Sequence, residues 1–101
     1  MEPVIWLGYE FKVYARFGAT WNNVAGIYIF TAIVGPHWKA FYIGQCDSFV
    51  NRFQTHERWD QAARLGATHV HARVVPLQAD RDSLEQALIR TCQPPMNTHF
   101  R

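Results

Sequence analysis

Apolar residues crowd the first half of the chain and then thin into periodic patterns. From Val24 to Val34 the run is apolar at successive positions, with Ile27, Tyr28, Ile29 and Phe30 β-branched or aromatic. That pattern predicts a strand covered on both faces, hence central in its sheet. Gly35-Pro36-His37 is turn chemistry. Lys39 to Gly44 returns as a second strand, giving an antiparallel hairpin. Tyr28 and Tyr42 have the same parity, so a register that pairs like with like puts both phenols on one face. Upstream, Tyr9 to Tyr14 alternates, with Tyr9, Phe11 and Val13 to one side. It predicts an edge strand or a small added hairpin, followed by a loop at Gly18 and Trp21-Asn22-Asn23. Thr68 to Val75 alternates too, with Val70, Ala72 and Val74 against His69, His71 and Arg73. It predicts a third strand with one wetter face, ended by Pro76.

Helical spacing appears in two places. After Asp47 or Ser48, either of which can cap, Ser48, Arg52 and His56 form a polar line and Phe49 and Phe53 an apolar one. Trp59, Ala62, Ala63 and Leu65 continue the pattern to Gly66, as one bent helix or two short ones. Asp80 to Thr91 predicts a second helical segment, capped by Asp82. Its core stripe is Leu84, Ala87, Leu88 and Thr91, and Pro94-Pro95 stops it. The elements add up to an α+β fold, a three-stranded antiparallel sheet flanked by helices. At 101 residues this is a single domain, 1–101.

Composition narrows the class. Hydrophobic residues make up 49% and charged residues 18%, which suits a packed fold and excludes disorder. The net charge of +2 is too weak to announce a nucleic-acid binder. Of the ten cations, however, only Lys12 and Lys39 are lysines, and arginine is the better fork for phosphate. Cys46 and Cys92 form no metal spacing and read as free thiols in a reducing compartment. With no signal peptide and no membrane-spanning run, the expected location is the cytoplasm, with no membrane partner.

Chemistry gathers around the hairpin. Paired strand tyrosines are ordinarily packing residues. A phenol acting as base needs help to ionise, and Arg52 is the candidate cation. Gly44, at the strand end, lets a backbone or a ligand approach closely. Glu85 reads either as the second half of a capping box from Asp82 or as a ligand for a divalent cation. His69 and His71 share a strand face but lack partners for a tetrahedral metal set. Trp38, at the hairpin tip, is placed to stack on a base.

The order of these pieces resembles the GIY-YIG nuclease domain over about residues 24–98, leaving 1–23 as an N-terminal extension. Gly26-Ile27-Tyr28 matches the first motif and Tyr42-Ile43-Gly44 the second. Arg52 stands at the family's arginine, His56 at a position held by histidine or tyrosine, and Glu85 at its glutamate. Asn97 in Pro94-Pro95-Met96-Asn97 matches the closing asparagine. The resemblance implies a metal-dependent DNA endonuclease using Mg²⁺ or Mn²⁺ held by Glu85. Tyr28, Tyr42, Arg52, His56 and Glu85 would be catalytic. Trp38, Lys39, Gly44, Gln45 and Asn97 would meet DNA. Two features depart from the pattern. Gln45 stands where some members carry a lysine, and the hairpin is slightly long. The chain shows no second module, so specificity would come from DNA structure, a partner protein or a homodimer. A non-catalytic DNA-binding module on the same fold is the alternative.

Overall fold

The computed structural model describes residues 2–17, 19–54 and 57–98. These contain strands β1 (Val4–Trp6), β2 (Tyr9–Ala15), β3 (Gly26–Val34), β4 (His37–Cys46) and β5 (His69–Val74). The helices are α1 (Phe49–Gln54), α2 (Glu57–Leu65) and α3 (Gln78–Cys92). The expectation of three strands is corrected. The sheet has five, in the order β1-β2-β5-β3-β4, with every neighbour antiparallel. The alternating N-terminal segment does not stand apart as an appendage. It pairs with β5 from Lys12↔Ala72 to Ala15↔His69 and so satisfies the backbone edge that β5 would otherwise leave open.

Side-chain alternation splits the core into two layers. On one face Tyr28, Phe30, Phe41, Val70 and Ala72 pack with Phe49 of α1 and Ala62 of α2. On the other, Phe11, Ile27, Ile29 and Ile43 pack with Leu84, Leu88 and Ile89 of α3. The hydrophobic face-and-back coverage expected for β3 holds, since Gly26 to Ala32 are all buried. The strand nonetheless begins at Gly26, and Val24 is exposed before it.

Local signals set the helix ends. The Ser48 hydroxyl accepts the Asn51 N–H at 3.3 Å and caps α1. The Val24 and Asn22 carbonyls take the next unpaired donors, from Phe49 and Val50. The long helical pattern resolves into α1 and α2, with Gly66 at φ 117° closing the second. His56 lies outside the described residues.

α3 starts earlier than its sequence suggested, at Gln78 after Leu77, whose side chain cannot cap. No side chain caps this helix; Arg81, beside the expected cap Asp82, instead serves the turn before it. Buried to 5% exposure, it donates to the carbonyls of Val75 (2.9 Å) and Pro76 (2.8 Å) and to Gln78 Oε1. Asp82 lies inside the helix, so no capping box forms and Glu85 is not in the first turn. The buried stripe is Arg81, Leu84, Leu88 and Ile89, while Ala87 and Thr91 face solvent. On β5 the wetter face is also corrected. His71 is fully buried and accepts Trp6 Nε1–H on Nδ1 at 2.9 Å. No helix among the described residues is long and apolar enough to cross a membrane.

Candidate active site

The hairpin register decides where the chemistry sits. Tyr28 pairs with Gly44 and Phe30 with Tyr42, so the two tyrosines do share a face, diagonally, with ring centroids 6.2 Å apart. β4 is an edge strand, and the Tyr28 ring lies across it at Gly44. A Cβ on Gly44 would run into the Tyr28 ring and hydroxyl, so only glycine lets the phenol reach that edge. Gly26 has a comparable reason. A Cβ there would strike the Arg73 carbonyl and the Phe49 ring, where β5 and α1 close on β3.

Tyr28 is 1% exposed, with Phe53 edge-on at 5.1 Å. Burial holds its phenol in the protonated form, far above the usual range. Tyr42 pushes the same way and Arg52 opposes, while Cys46 and Glu85 add to the upward push. The phenol therefore feels Tyr42, Arg52 and Glu85 together, although they come from β4, α1 and α3. Tyr42 is half-buried, with the Arg58 guanidinium 5.8 Å from its ring centroid. Arg52 is exposed and borders a polar notch of about 240 Å³ walled by Asp47, Ser48 and Asn51.

Glu85 reaches this edge from the opposite face. Gln45, paired with Ile27 and thus on the α3 side, donates to Glu85 Oε1 at 3.2 Å and to Asp82 Oδ1 at 2.8 Å. Gln78 donates to Gln45 Oε1 and to Asp82 Oδ1, both at 2.8 Å. These two amides hold the Asp82 carboxyl below its ordinary range. The Tyr28 ring thus overlies β4 at Gly44 from one face and Glu85 meets the next residue, Gln45, from the other, so the two flank adjacent positions of the strand.

Other expected contacts lie elsewhere. Asn97, 1% exposed, spends its amide on Ile43: Oδ1 accepts the Ile43 N–H at 2.8 Å and Nδ2 donates to the Ile43 carbonyl at 2.9 Å. It seals the β4 edge beside the site and presents nothing to a ligand. Trp38 is half-buried on the α3 side, 4.5 Å from His71 and 5.3 Å from His69, and is no open stacking platform. The extra residue at the Phe30/Thr31 register shift turns it away from the tyrosines. Lys39 is exposed, with its Nζ 5.2 Å from the Phe41 ring centroid. Sequence reading missed Asp82, Gln78 and Arg58 as neighbours of the site. A helix started at Gln78 would have put Gln78, Asp82 and Glu85 at i, i+4 and i+7 on one face.

No protein-family model and no curated protein matches the chain. Solved structures do. The GIY-YIG N-terminal endonuclease domain of UvrC from Thermotoga maritima, in two tyrosine-to-phenylalanine point mutants, superposes with a TM-score of 0.64. The matches are 24% and 23% identical and cover 78% of this chain and 88% of theirs. The chain has the GIY-YIG endonuclease-domain fold. Both UvrC structures are described as bound to the catalytic divalent cation.

Within this GIY-YIG fold, the described residues gather no group of three or more His, Cys, Asp or Glu side chains able to cage a metal. A half-buried carboxylate oxygen at an open strand edge still suits Mg²⁺ or Mn²⁺, since Mg²⁺ commonly takes one or two carboxylates and fills its shell with water and phosphate oxygens. Glu85 is the residue of this fold that fits such a donor set. Cys46 and Cys92 are free, and burial pushes both thiols up, away from metal-binding thiolate.

Proposed function

We propose that the protein is a metal-dependent endonuclease that hydrolyses DNA phosphodiester bonds at the Tyr28–Tyr42–Arg52–Glu85 centre. The observation that carries this reading is the convergence at one strand edge. Tyr42, Arg52 and Glu85, from three different elements, all bear electrostatically on the Tyr28 phenol of a fourth. Packing alone does not call for that combination.

Glu85 would hold the Mg²⁺ or Mn²⁺, which supplies Lewis-acid polarisation of the scissile phosphate when bound. Arg52, exposed beside its notch, neutralises charge building on the phosphate oxygens. Tyr28, held neutral by burial, accepts a hydrogen bond from the attacking water or donates one to a phosphate oxygen. Positioning suits it better than proton abstraction. Tyr42, half-buried beneath Arg58, is the phenol that solvent and substrate reach. His56, four residues after Arg52 in the sequence, would assist with phosphate or proton.

The test uses supercoiled plasmid with Mg²⁺ or Mn²⁺, beside EDTA and the variants Glu85→Ala and Arg52→Ala. Metal-dependent nicking by wild type, lost in both variants while their cooperative melts persist, is the expected result. Binding that is equal with and without metal, with no cutting of plasmid, bulged or branched DNA, would leave a DNA-binding module instead.

A further inference from the structure

Next to the tyrosines, on the same face of the sheet, Arg16, Phe17, Trp21, Phe53 and Trp59 enclose a cavity of about 280 Å³ backed by Phe30. The walls are ring faces and edges. Trp21 and Phe53 lie 4.5 Å apart, and Trp59 meets Phe30 edge-on at 4.9 Å. The Arg16 guanidinium lies 4.6 Å from the Phe17 ring centroid and 5.3 Å from that of Trp59. Its ion pair with Asp60, at 3.6 Å and largely exposed, is too weak to hold it. Trp59 Nε1–H is buried and has no acceptor among the described residues. A buried indole N–H ordinarily finds a partner. A cleft walled by rings, with a guanidinium at its side, suits a flat, electron-rich heterocycle.

We propose that this cavity takes an unpaired nucleobase of the strand bound at the tyrosine centre, and so selects DNA with unpaired bases; the proposal rests on the nuclease reading above. The base would stack against the aromatic walls, a contact that tolerates any base because each has a π face. Arg16 would close over it as a cation–π partner. At about 280 Å³ the space falls just under the roughly 300–1,000 Å³ of drug-sized sites, the scale of a single base. The cavity also shares a wall with the chemistry. Phe53 lines it and meets Tyr28 at 5.1 Å, and it follows Arg52 in the chain. A nucleotide held at Tyr28 therefore has its base one ring, Phe53, from the cavity. A fully paired duplex offers no base there without flipping one out.

The test is fluorescence anisotropy in EDTA with the full chain and three labelled DNAs: a paired duplex, the same duplex with one bulged base, and the same with an abasic bulge. The bulged base is expected to bind at least about tenfold tighter than the abasic bulge. Arg16→Ala and Trp59→Ala should erase that ratio while still melting cooperatively, and Glu85→Ala should keep it. Equal affinities for the base and abasic bulges, or no binding to any of the three, would overturn the proposal. Glu85-dependent cutting without base discrimination sinks the cavity and leaves the nuclease. Discrimination without cutting on any substrate sinks the nuclease and leaves the cavity.

Discussion

Gly44→Ala tests the geometry of the site most directly. A methyl group at that position points at the ring and hydroxyl of Tyr28. The clash falls on the far end of a side chain, which elsewhere would swing away cheaply. Here the ring is 1% exposed, with Phe53 at 5.1 Å, Phe30 at 5.4 Å and Tyr42 at 6.2 Å around it. Inserting a methyl into such packing costs about 1–3 kcal/mol. For a domain this size that lowers Tm by about 5–20 °C. A phenol displaced by about 1 Å costs on the order of 100-fold in rate, if the phenol positions the reacting water or phosphate. Circular dichroism melts and single-turnover cleavage of plasmid measure the two losses separately. Adding Tyr28→Phe to Gly44→Ala removes the hydroxyl share of the clash, so the double variant should regain stability without regaining activity. If Gly44→Ala melted within about 2 °C of wild type and cut at the same rate, the Tyr28 ring would not lie over Gly44.

Three further predictions follow from the surroundings of the site. Asn97→Ala leaves the Ile43 N–H and C=O without their buried partners and should destabilise by about 2–4 kcal/mol in urea unfolding. A loss under about 0.5 kcal/mol would mean solvent already reaches that edge. Gln45→Ala should let the Asp82 carboxyl rise toward its ordinary 3.8, read from a side-chain carbon NMR titration; an unmoved midpoint removes Gln45 as its main donor. Burial, and secondarily His69, lowers His71 from 6.5 to about 4. The unfolded chain therefore binds this proton first as pH falls. His71 costs nothing above about 6.5, and roughly 3 kcal/mol of stability is lost between there and pH 4. His71→Gln should flatten that slope, and an unchanged pH profile in the variant would put its origin elsewhere.

What was legible in the sequence is what local periodicity encodes. Hydrophobic runs and alternation located β3, β4 and β5. The phenylalanine pair located α1, helical spacing up to Pro94 located α3, and the positions of Tyr28, Tyr42, Arg52 and Glu85 follow from β3, β4, α1 and α3. Three things escaped, each set by packing that local periodicity does not report. β2 pairs with β5 across more than fifty residues of chain, so its alternation read as an appendage. α3 begins at Gln78 with no side-chain cap, and Arg81 answers two carbonyls of the preceding turn, a demand visible only once β5 and α3 are docked. The aromatic cavity joins residues from the β2 end, the following loop, α1 and α2, and no single window contains it.

The parity of the two tyrosines shows how narrowly such readings can hold. They face the same side because Tyr28↔Gly44 and Phe30↔Tyr42 lie in one unbroken stretch of register. The ladder shifts only beyond Phe30, where Phe41 is the extra residue and both Phe41 and Tyr42 turn toward the α1–α2 layer. Had the bulge fallen between Tyr42 and Gly44, Tyr42 would point at α3 and the site would lose one phenol. The long hairpin that departs from the GIY-YIG pattern therefore leaves both tyrosines on one face, because its irregularity lies on the turn side of both motif residues. The same shift carries Trp38 to the opposite face, which is why the stacking surface lies at Trp21 and Trp59 and not at the hairpin tip.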